Sequence, residues 1–192
     1  YVDIEVMLGK TFPTPTLAEY PITAITIYCS KSKVFYVFTD KQLSSKGLAE
    51  LTNLVEQEKL SKFKLHKDSR VEVRTYENNE EQMIVDFSKV ISEIEQIDIL
   101  TGWNSSNFDV PYIYFRTKRL FGDYGPNMLS PLGKATEYFS VKKNKHMLDI
   151  KGINLIDSMV WYQDFTRNIK ILPSYSLDYV SNYELKCGKA KL

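Results

Sequence analysis

A chain of 192 residues, 43% hydrophobic and 26% charged, can bury the core of one ordinary domain, and it carries no low-complexity tract or Pro/Ser-rich linker. Its 25 basic and 24 acidic side chains leave a net charge of +1. That excludes a protein that grips nucleic acid by bulk positive charge, but not a nuclease whose metal ions and other domains manage the phosphates.

Cys29 and Cys187 stand far apart and beside no metal-ligand pattern, so both read as free thiols of a reducing compartment. No apolar run reaches transmembrane length and no signal peptide is visible, so the expectation is a soluble, cytoplasmic protein. The chain opens without Met, already inside a strand-like pattern, which reads as a segment of something longer.

Residues 1–8, 22–29 and 33–39 are β-branched or aromatic runs bounded by turn residues, and their close spacing predicts an antiparallel meander. Lys10 to Tyr20, with Pro13 and Pro15, is a surface loop. Residues 41–62 alternate Leu with Lys, Glu and Gln and predict a solvated helix or ordered loop, and 71–76 a further strand. Met83, Ile84, Phe87, Val90, Ile91 and Ile94 form one helical stripe, so 80–96 is an amphipathic helix. A short strand ends at Gly102, and Asp109 can cap a helix running to Phe121 with Pro111 in its first turn. Residues 137–157 predict a β-hairpin with Lys142, Lys143, Asn144 and Lys145 at its tip, then a strand. Helices over 158–165 and 174–185 complete a mixed sheet flanked by helices.

The sharpest chemical feature is Asp3-Ile4-Glu5. On a strand, residues two apart share a face, so both carboxylates project together while Val2, Ile4 and Val6 turn the other way. Two anions on a strand built for burial need a positive partner, and all-carboxylate sites suit Mg²⁺ or Mn²⁺. An edge strand with one polar face is the plainer alternative. The second feature is Thr101 to Tyr112, which runs from a strand end to a helix start. Asp109 there lies beyond the carboxyl end of a strand, where catalytic groups of α/β proteins gather, although a plain helix cap is compatible.

Tyr1 to Val6 resembles the first exonuclease motif (D-x-E) of family B DNA polymerases, and Gly102-Trp103-Asn104 through Phe108-Asp109 resembles the second (G-[YW]-N-x3-F-D). Pro173 to Tyr179 is similar to the segment before the third motif in the replicative polymerases of T-even-type bacteriophages, and the likeness spans practically the whole chain.

The resemblance implies a ribonuclease H-like α/β fold with an inserted β-hairpin, and 3′→5′ proofreading by two-metal hydrolysis of the 3′-terminal phosphodiester. Asp3 would bridge the two ions, Mg²⁺ or Mn²⁺, with Glu5 on the one that activates water and Asp109 reaching the other. Asn104 and Phe108 would contact the frayed 3′ end, Phe108 by stacking on a base or instead by packing beneath the motif. Lys142, Lys143 and Lys145 would touch primer–template DNA or form an ordinary solvated turn.

The family's third motif, Y-x-x-x-D, finds no match. Tyr175 to Asp178 has the wrong spacing, so Asp178 reads as a helix-surface residue, and the true motif is expected beyond Leu192. The expectation is therefore one exonuclease domain over 1–192, truncated before its third motif and holding its metals weakly. Its partners would be the remaining polymerase domains, in cis or as a second chain, and no membrane; a phage origin would put it in the infected bacterial cytoplasm. Two other classes stay open: a catalytically incomplete structural piece, and a stand-alone ribonuclease H-like nuclease. Asp149 and Asp157 read as turn or capping residues, and His66 and His146 form neither a zinc site nor a triad.

Overall fold

The alternation of the first strand decides which way its acids face. In the computed structural model, which describes residues 1–41, 44–60, 66–141 and 144–186, β1 is Val2–Val6. Val2 and Ile4 are buried, whereas Asp3 and Glu5 are exposed on the opposite face. β1 pairs antiparallel with β2 (Ile22–Cys29), setting Val2 opposite Ile27 and Ile4 opposite Ile25, so the buried apolar side chains meet across strands. β2 pairs antiparallel with β3 (Val34–Thr39), completing the expected meander, and β4 (Arg70–Thr75) joins β3 in parallel to make a mixed sheet in the order β1-β2-β3-β4.

Helix α1 (Ser45–Leu60) precedes β4. Helix α2 (Glu80–Lys89) starts at Asn79, whose side chain accepts the Gln82 N–H at 3.1 Å. Its buried stripe, Met83, Ile84 and Phe87, packs on β2 and β3, with Phe87 meeting Phe38 edge-on at 5.8 Å. The predicted stripe fails at its end. Val90–Ile94 form a π-helical turn, whose extra residue rotates the next side chains by about 100°. Ile94 is thereby turned out to solvent, and Glu95 turned in. There the Glu95 carboxylate accepts the Tyr36 hydroxyl at 2.6 Å and the thiol of Cys29, a free cysteine, at 3.0 Å.

The second half builds onto the free side of β1. β5 (Ile99–Gly102) lies beside β1 and pairs in parallel with β8 (Asn154–Asp157). Gly102 permits this approach: a Cβ there would stand 2.6 Å from the Val2 carbonyl oxygen. Helix α3 (Asp109–Phe121) packs against β1 through buried Val110, Tyr112 and Ile113. Arg116 on α3 pairs with Glu80 at 2.6 Å with both side chains nearly sealed from water, and it also holds the Ala18 carbonyl oxygen at 3.0 Å. This pins the Lys10–Tyr20 loop to α3 and α2.

A 3₁₀ turn (Gly125–Leu129) leads into the antiparallel hairpin β6 (Ala135–Ser140) and β7 (Lys145–Ile150), then β8, α4 (Ser158–Thr166) and α5 (Leu177–Leu185). The expected class, a mixed sheet flanked by helices, is the one observed. Among the described residues no helix is long and apolar enough to cross a membrane.

Candidate active site

The end of β1, the loop after β5 and the head of α3 meet at one edge of the sheet. Asp109 is the first residue of α3, and its carboxylate does not cap that helix as expected. Phe108 holds the cap position without a side-chain bond, while Asp109 Oδ1 reaches across to accept the Ile4 N–H at 3.0 Å. The helix start is tied instead by backbone bonds, Val110 N–H to the Ser105 carbonyl and Tyr112 N–H to that of Phe108. This frees the Asp109 side chain to face β1.

Asp109 is only 6% exposed. Burial pushes its carboxyl up to about 6, the Asp3 and Asp157 carboxylates add to the rise, and the Ile4 N–H opposes it. The Tyr1 phenol, which accepts the Trp103 N–H at 3.1 Å, is also raised, first by burial and then by Asp3, with Asp109 and Asp157 contributing. Asp3 and Asp109 thus share one electrostatic neighbourhood. Glu5 lies on the same strand face as Asp3. Among the described residues no three Asp, Glu, His or Cys side chains are grouped closely enough to hold a metal ion as they stand.

The loop between β5 and α3 is fixed from several sides. Asn104 adopts φ 62°, a left-handed conformation that Asn tolerates better than most residues, and its Oδ1 accepts the Asn107 side-chain N–H at 2.8 Å. The Trp103 indole donates to the Tyr175 carbonyl oxygen at 3.0 Å, which joins the Pro173–Tyr179 segment to the loop. Phe108 is half-buried between Tyr112 (5.6 Å) and Phe12 (6.0 Å).

Sequence reading missed two residues here. Phe12 is 81% exposed and carries the aromatic surface of Phe108 out to solvent. A large aromatic in a loop next to Pro13 was the available signal. Asp157 caps α4 as expected, but it also accepts two N–H groups of the Asn104–Ser106 loop, and no local pattern announces that reach.

The other candidates separate cleanly. Lys142 and Lys143 lie outside the described residues, while Lys145 opens β7 opposite Ser140. Asp178 is exposed in the first turn of α5. Asp149 pairs with Lys151 at 2.7 Å. His66 lies beside Asp68 and His146 beside Glu137, in different parts of the fold.

A mixed sheet flanked by helices, with two carboxylates on one strand and a third at the head of the adjoining helix, makes this an α/β domain. The chain belongs to the exonuclease domains of family B DNA polymerases, whose family model matches residues 2–180. It is 33% identical over 198 residues to the DNA-directed DNA polymerase of Escherichia phage RB69, covering 98% of this chain. To the DNA-directed DNA polymerase of Enterobacteria phage T4 it is 34% identical over 201 residues, covering 97%. The chain spans about a fifth, 21%, of each relative's length.

Proposed function

We propose that this domain removes nucleotides from the 3′ end of DNA as the proofreading exonuclease of a DNA-directed DNA polymerase. The observation that carries the reading is the reach of Asp109 onto the backbone of Ile4, between Asp3 and Glu5. It brings a buried carboxylate from the second motif to the strand of the first.

The donors suit Mg²⁺ or Mn²⁺ in kind, being hard carboxylate oxygens, and the mutual repulsion of Asp3 and Asp109 is what a divalent cation would relieve. Asp3, Glu5 and Asp109 would hold the two ions, which when bound stabilise the attacking and leaving oxygens of an in-line displacement. The chain's own residues do the rest. The Ile4 N–H fixes the Asp109 carboxylate in direction. Phe12 and Phe108 offer a sequence-tolerant apolar surface for an unpaired terminal base, and Asn104 offers amide groups beside it. Lys142, Lys143 and Lys145 would meet backbone phosphates of primer–template DNA.

The reading includes a division of labour. The last metal ligand and a water-orienting tyrosine come from sequence outside these residues, in cis or from a partner chain. A 5′-labelled single-stranded oligonucleotide with Mg²⁺ or Mn²⁺ tests the whole. The expected result is little or no shortening by this chain, and 3′-directed shortening once the chain is extended, abolished by Asp3→Ala. Shortening by the extended protein that survives Asp3→Ala would refute it.

A further inference from the structure

We infer that Asp157 is a positioning residue of this site, holding the second-motif loop so that Asn104 and Asp109 face the DNA end. The inference rests on the reading of Asp3, Glu5 and Asp109 as the metal-binding acids of an exonuclease.

Asp157 ends β8 directly opposite Gly102 in the parallel ladder. From that point the two chains leave the sheet, one into the loop before α3 and the other into α4. Asp157 is 8% exposed, and its carboxylate accepts four backbone N–H groups. Oδ1 takes Met159 at 2.9 Å and Val160 at 3.3 Å, the usual duty of a helix cap, and also Asn104 at 3.1 Å. Oδ2 takes Ser106 alone, at 2.9 Å.

A cap needs one oxygen, and Ser would serve as well as Asp. The second oxygen is given wholly to the loop. The same loop presents its carbonyls to the helix start: Asn104 accepts from Asn107 and Phe108, and Ser105 from Val110. A continuous path therefore runs from Asp157 through the loop to Asp109 and on to the backbone of β1. Three of the four N–H donors fall on Oδ1 and one on Oδ2, so the charge of Asp157 is spent chiefly on the backbone of the loop and of α4.

Asp157→Ser separates the two duties, since Ser keeps the α4 cap and loses the oxygen on Ser106. The readout is anisotropy of a 5′-fluorescein single-stranded oligonucleotide, with Ca²⁺ in place of the reactive ion, together with the melting temperature. Supporting the inference, Asp157→Ser melts near the wild type yet binds the free 3′ end about tenfold more weakly or worse, the scale on which residues behind a site's ligands act. Asp3→Ala and Asp109→Asn remove the Ca²⁺ dependence of binding. Wild-type affinity in Asp157→Ser, with Asp3→Ala still defective, overturns the inference and leaves the functional reading standing. Unchanged binding in Asp3→Ala overturns both. Hydrogen exchange on the wild-type chain gives a check that no variant can spoil. The Asn104 and Ser106 amides must be protected, and free exchange at both would end the case.

Discussion

Asp109 Oδ1 and the Ile4 amide, 105 positions apart in the chain, meet at 3.0 Å. This bond joins the two motifs and leaves a carboxylate almost fully buried beside other acids. Without a cation the arrangement costs stability, because burial disfavours the charged Asp109 carboxylate and the neighbouring Asp3 and Asp157 carboxylates add to the cost. Asp109→Asn keeps an oxygen for the Ile4 N–H and removes the charge. It should raise the melting temperature in EDTA by roughly 2–4 °C, the equivalent of about 1 kcal/mol for a domain of this size. Thermal unfolding with and without Mg²⁺ measures it, and a lower melting temperature in EDTA would count against a repulsive acid cluster.

The Glu80–Arg116 pair anchors the Lys10–Tyr20 loop, and Glu80 Oε1 also accepts the Ile22 N–H at 2.6 Å. Glu80→Ala leaves a guanidinium and a strand amide buried without their acceptor. The expected loss is about 3–5 kcal/mol, read from the denaturant midpoint. Replacing both partners with apolar residues, as in Glu80→Leu with Arg116→Met, should cost less than Glu80→Ala alone.

Glu95 gives the fold an acid-sensitive contact. Burial opposes its ionisation, but hydrogen bonds from Tyr36 and Cys29 hold its carboxyl below the ordinary 4.5. A depressed carboxylate contributes stability above its unfolded pKa and loses it as pH falls through the folded value. The stability difference between the wild type and Glu95→Gln should therefore be full at neutral pH and shrink below about 4.5. Denaturation across that range checks it. A constant difference would assign the effect to shape alone.

Phe12 spends most of its surface on solvent. Phe12→Ala should leave folding stability within about 0.5 kcal/mol. It should weaken binding of an unpaired 3′ end by about 1–3 kcal/mol, the worth of one stacked base. Equal affinity for blunt duplex and single-stranded ends in both proteins would show that Phe12 meets no base.

Most elements were legible because their signals are local. Alternation marked β1 and set Asp3 and Glu5 on one face, and the stripe from Met83 to Ile91 marked α2. What escaped depends on register or distance. A π turn displaces Ile94 by one residue, which no periodicity discloses. Asp109 looked like a cap because caps are local, whereas its partner is a strand amide far away in sequence. Asp157 was legible as a cap for the same reason, and its hold on Asn104 and Ser106 was not. The hairpin strands were readable, but Lys142 and Lys143 fall outside the described residues.

The central claim is that Asp3, Glu5 and Asp109 share divalent cations in the service of 3′-end chemistry. Mn²⁺ titration followed by electron paramagnetic resonance, in the presence of a single-stranded oligonucleotide, addresses it most directly. The account predicts that Asp3→Ala, Glu5→Gln and Asp109→Asn each weaken Mn²⁺ binding by at least the roughly tenfold that outer partners of a metal site cost. In the same experiment Asp178→Asn, on the surface of α5, should bind Mn²⁺ as the wild type does. Undiminished Mn²⁺ binding in Asp3→Ala and Asp109→Asn would contradict it.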